Sequence, residues 1–164
     1  NKVQEAIEKW TDIKNQNNNI NLHLIGKLQT NKVKFAVKIF DYIHSLDNEK
    51  LAKKIADEQQ KQSKKPKIFI QINLGEEDQK SGILINDLTE FYNYSQNLNL
   101  NIIGLMCIPP FNEDSTKFFM KMSELNEKIN QKELSMGMSS DYMKAVEYKS
   151  TFLRIGSNIF GQRG

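Results

Sequence analysis

The chain has 164 residues, 38% of them hydrophobic, which is enough for one domain with an ordinary core. Its 23 Lys and Arg stand against 20 Asp and Glu, and the net charge of +3 is spread with both signs interspersed, which argues against nucleic acid as the main partner. No apolar run is long enough to span a membrane and no charged, apolar and small-residue leader opens the sequence, so a cytoplasmic protein is expected.

Val3, Ala6, Ile7 and Trp10 recur at helical spacing, so residues 2–14 read as an amphipathic helix that ends in the polar run 15–19. A first strand is expected over 21–26, followed by a loop carrying Lys27 and a helix through Val33, Ala36 and Val37. The second strand covers 42–46, and Asp47 or Asn48 can cap a helix over 49–62. The third, 67–74, is almost continuously apolar, as in a parallel strand covered on both faces. The polar loop GEEDQKSG leads to a helix over 86–97, a fourth strand over 101–108 stopped by Pro109 and Pro110, and a helix over 115–129. A fifth strand over 133–136 and a sixth over 151–155 close the series, so strand and helix alternate throughout and predict a parallel α/β sheet.

The last two strand-to-helix turns carry the chemistry. Gly137, Met138 and Ser139 lead to Ser140 and Asp141, either of which can cap the next helix; Gly156 and Ser157 follow the sixth strand directly. Gly then Ser at the carboxyl end of a strand lets backbone N–H groups approach a phosphate while the hydroxyl adds a donor. Each glycine taken alone is more often a plain turn residue, and it is the pair on consecutive strands that suggests a phosphate cup. Alternation turns Arg154 away from Leu153 and Ile155, so on an inner face it would be a cation in need of a partner.

The segments LSMGMSSD and RIGSNIFGQR resemble those of the pyridoxal phosphate homeostasis protein family, which is itself similar to the barrel domain of alanine racemase. The resemblance extends through NKVQEA, HLIGKLQTNK, IHSLD, QINLGEEDQKSG and GLMCIPP, in the family's order. It implies a (β/α)8 TIM-type barrel that forms a single domain over 1–164. Six strand units are present where such a barrel has eight, so the first two strands are expected to be absent. It implies pyridoxal 5'-phosphate (PLP) as cofactor, with contacts at Ser135, Met136, Ser139, Arg154, Gly156, Ser157 and Asn1. Of these, Ser135, Gly156 and Ser157 would hold the phosphate and Arg154 would lie by the pyridine nitrogen. The family's Schiff-base lysine precedes the residue matching Asn1 and has no counterpart in this sequence. The implied function is buffering or delivery of PLP within the cell without turnover, with PLP-dependent apoenzymes as candidate recipients and a monomer or weak dimer as the assembly. An alanine-racemase-like enzyme fragment and a phosphate-binding barrel of other specificity are the alternatives.

Other chemistry-bearing residues carry less weight. Lys27 sits between Gly26 and Leu28 in a loop, which disfavours it as a substitute anchor, and Lys80 reads as solvated. His23 and His44 fall on strands, where a hydrogen-bonded core or supporting role is expected, and with no Cys or carboxylate at ligand spacing no metal is assigned. Cys107 is the sole cysteine and lies in an apolar strand, so it reads as an inert core residue.

Overall fold

The computed structural model describes residues 2–17, 19–75 and 81–161. They form α1 (Val3–Gln16), β1 (His23–Leu24), a 3-10 turn (Thr30–Lys32), α2 (Val33–Ile39), β2 (Tyr42–Leu46), α3 (Glu49–Gln62), β3 (Lys67–Gln71), α4 (Leu88–Asn97), β4 (Asn101–Met106), α5 (Ser115–Lys128), β5 (Glu133–Met138), α6 (Tyr142–Glu147), β6 (Phe152–Arg154) and α7 (Ser157–Phe160). The six strands lie in chain order in one sheet, each pairing in parallel with the next. Among the described residues no helix is long and apolar enough to cross a membrane.

The sheet is strongly curled. Flat, it would hold β1 and β6 five strand spacings apart, about 24 Å. Yet the rings of His23 on β1 and Phe152 on β6 have centroids 5.9 Å apart. The observed architecture is therefore a six-stranded parallel α/β half-barrel, and among the described residues the eight-stranded closed arrangement is not seen. Close packing at one seam depends on Gly104, where an added Cβ would lie 1.7 Å from the carbonyl oxygen of Glu133 on the neighbouring strand.

Alternation along the strands divides the apolar residues into two sets. Ile43, Ile68, Ile70, Leu105, Leu134 and Met136 face outward into the buried layer under the helices. His44, Phe69 and Phe152 face inward and meet one another, with Phe69 and Phe152 edge-to-face at 5.1 Å. Met136 is therefore fully buried among core residues, and its side chain does not line the barrel interior.

Local signals set several boundaries. Asn48 caps α3 by accepting the Leu51 N–H at 2.9 Å, so of the two candidate caps the second is used. The first strand is two residues long, shorter than expected; past its end the Gly26 carbonyl accepts from the Ser45 hydroxyl at 2.8 Å. Strand β5 runs two residues past Met136, and Asp141 does not cap α6 with its side chain; its carboxylate accepts from the Met138 N–H at 2.7 Å and folds the β5 turn back on itself.

Candidate functional site at the carboxyl ends of β5 and β6

The turns after β5 and β6 meet at the Ser139 hydroxyl. Its oxygen accepts from the Gly156 N–H at 3.1 Å and the Asn158 N–H at 3.4 Å, while the Asn158 side-chain amide donates to the Ser139 carbonyl at 2.9 Å. The Ser157 N–H has no partner among the described residues, since the turn's own bonds use the N–H groups of Ile159, Phe160 and Gly161. Gly156, Ser157 and Asn158 are all exposed, and a Cβ added at Gly156 would meet nothing within 4 Å. The backbone is thus bare on the side where donors converge. Gly137 makes the first turn possible with φ +90, a left-handed value; a Cβ there would lie 2.6 Å from that of Ala145.

Arg154 extends inward from this rim. Its guanidinium donates to the Ser135 hydroxyl and to the Cys107 carbonyl, each at 2.8 Å. Neither acceptor is charged. The side chain is half-buried and burial lowers its pKa, but a guanidinium remains protonated at any relevant pH. Among the described residues, two of its five N–H groups have partners.

Ser135 is fully buried, and besides Arg154 its hydroxyl meets His44 Nδ1 at 2.8 Å. His44 Nε2 in turn meets His23 Nδ1 at 3.0 Å. His44 is stacked on Phe69 at 4.4 Å, and His23 on Tyr42 at 4.1 Å. Burial, then the positive charge of neighbouring His23 and Arg154, pulls the His44 pKa down to about 3, so its imidazole is neutral. Burial also lowers the pKa of His23, outweighing the opposite effect of Asp41.

The structure thus brings together Ser139, Arg154, Gly156 and Ser157 on one rim and places Ser135 beneath it, held between Arg154 and His44 rather than at the converging amides. Asn1 and Lys80 lie outside the described residues. Lys27 is exposed in the loop after β1. Cys107 contributes its carbonyl, a role its side chain could not have signalled; its buried thiol has its pKa pushed up to about 12 and stays protonated. The link from His44 to Ser135 was likewise invisible in sequence, because the partners lie 91 positions apart.

The whole chain, residues 1–164, matches the family described as alanine racemase, N-terminal domain. Over 99% of its length it is 37% identical to the pyridoxal phosphate homeostasis protein of Aquifex aeolicus and 39% identical to that of Pasteurella multocida, covering 75% of each. The chain belongs to the pyridoxal phosphate homeostasis protein family. Among solved structures it is similar to PipY of Synechococcus elongatus with PLP bound, at TM-score 0.88 and 34% identity over 98% of this chain and 79% of that one. Alanine racemase of Clostridium difficile shares the fold, with TM-score 0.68 and 15% identity, over 92% of this chain and 42% of the racemase.

Proposed function

We propose that this chain binds pyridoxal 5'-phosphate at the rim between β5 and β6 and serves the cell's PLP homeostasis by holding or delivering the cofactor, without turnover of its own. The observation that carries this reading is the convergence of the Gly156 and Asn158 N–H groups on the Ser139 hydroxyl, beside a guanidinium with donors to spare. The similarity to a PLP-bound PipY supplies the ligand's identity.

The donor set fits the ligand. The Ser157 N–H, which has no partner among the described residues, and the hydrogen of the Ser139 hydroxyl suit phosphate oxygens; the Gly156 and Asn158 N–H groups hold the Ser139 oxygen in place beside them, and Gly156 leaves the phosphate room. Ser139 is accordingly the serine of the cup. Arg154 would donate to the pyridine nitrogen. Bound PLP supplies an aldehyde and an electron-withdrawing ring. A guanidinium does not give up its proton, so it keeps the ring nitrogen unprotonated and weakens the ring as an electron sink. That suits a carrier.

The test is a titration of the chain with PLP and with inorganic phosphate, followed by the backbone amide signals of Gly156, Ser157 and Asn158. Shared shifts at these amides, with tighter binding of PLP, support the proposal; binding of PLP that leaves them unmoved would place the ligand elsewhere.

A further inference from the structure

His44 lies one residue removed from Arg154, the group that would recognise the ligand's ring, and it is bound in a way that leaves it little freedom. Three sets of contacts fix its imidazole: the stack on Phe69 at 4.4 Å, the edge contact with Phe152 at 6.0 Å, and the bond from Nε2 to His23 at 3.0 Å. Its remaining nitrogen fixes Ser135, and Ser135 is one of the two acceptors that anchor the Arg154 guanidinium among the described residues.

A guanidinium in a half-buried site is ordinarily oriented by a carboxylate, which would occupy both arms of its fork. Here the anchors are a hydroxyl on β5 and a carbonyl after β4, each taking one N–H. The orientation depends on where the Ser135 oxygen sits, and a serine hydroxyl has no rigidity of its own. His44 supplies that rigidity. A purely structural role would be filled more cheaply by an apolar side chain, since burying a chain of polar groups carries a desolvation cost.

We propose that His44 is a positioning residue: acting through Ser135, it holds the Arg154 guanidinium where it can bind the pyridine edge of a ligand, and so sets the preference for a phosphorylated pyridine over bare phosphate. This rests on the PLP reading above. It concerns a residue that would touch neither phosphate nor ring.

The experiment compares inorganic phosphate with pyridoxine 5'-phosphate, which keeps the ring and phosphate but has no aldehyde to react with lysines. The parent chain is expected to bind the pyridine compound at least about tenfold more tightly than phosphate, the scale of one charge-assisted bond. In His44→Phe, which retains the stack on Phe69, that preference is expected to fall about tenfold while phosphate affinity stays within about twofold. His44→Asn, whose side-chain amide can take the place of Nδ1, is expected to recover most of it, and Ser135→Ala to behave as His44→Phe does. A second readout is the nitrogen NMR of the Arg154 side chain: its terminal groups should be distinct in the parent and averaged in His44→Phe and Ser135→Ala. Equal weakening of both ligands, or a preference unchanged in both variants, would overturn the inference. A parent that does not distinguish the two ligands would overturn the functional reading as well.

Discussion

Acidification from about pH 7.5 to about pH 5 should destabilise the fold chiefly through one buried imidazole. His44 is 2% exposed, and its pKa falls from 6.5 to about 3 on folding. Below the unfolded-state value, the unfolded chain takes up a proton that the folded chain refuses, so the stability contributed by neutral His44 is fully present above about pH 6.5 and is lost as the pH falls. At about pH 5 the deficit spans roughly 1.5 pH units, and at about 1.4 kcal/mol per unit the loss is about 2 kcal/mol. His23 shifts in the same direction and adds to it. The lowered pKa of Asp41, where Lys14 and the Leu22 N–H outweigh burial, contributes stability that is lost only as the pH falls through the carboxylate range, below this window. The chain has just two histidines, which makes the attribution clean. Urea denaturation at the two pH values would measure the loss, and His44→Phe should flatten most of the dependence. A parent losing less than about 0.5 kcal/mol, or a variant as acid-sensitive as the parent, would refute the argument.

Further outcomes can be checked alongside. Gly156→Val should leave stability within about 1 kcal/mol of the parent, because no described residue lies within 4 Å of the added Cβ, while lowering phosphate affinity by at least about a hundredfold by filling the space of a ligand that makes two charge-assisted bonds there; calorimetry would read both. Gly137→Ala should do the reverse, destabilising by about 2 kcal/mol or more through its φ of +90 and the contact with Ala145. Gly104→Ala should cost about 3 kcal/mol or more, since its Cβ would displace the Glu133 carbonyl and part β4 from β5; loss of slow-exchanging amides along that seam would report it. Lys27→Ala, in an exposed loop, should change PLP affinity by less than about twofold in a direct titration.

Where local chemistry decides an element, the sequence was a sufficient guide. Strand β2 and helix α3 were legible to the residue, because the strand-forming run ends at Leu46 and Asn48 two residues later caps the helix. The rim glycines could be read for the same reason: a positive φ or a bare strand end is a property of one position. The division of labour between Ser135 and Ser139 was not legible. Four residues apart across a strand that turns at Gly137, they belong to different layers, and which one reaches the rim is set by where the strand ends. Met136 shows the same limit, since alternation gives two faces but does not say which is inward. The histidine chain depended wholly on the curl of the sheet, which brings β2 within hydrogen-bond distance of β5 although two strands lie between them in order.

The claim that most of the account depends on is that the rim between β5 and β6 is a phosphate site suited to PLP. The most direct measurement is a proton–nitrogen NMR titration of the chain with PLP, repeated with inorganic phosphate. The account predicts that the amide signals of Gly156, Ser157 and Asn158 move with both ligands, that the Arg154 side-chain signals move only with PLP, and that Gly156→Val abolishes the amide response. Saturable binding of PLP with those amides and Arg154 unmoved would contradict it.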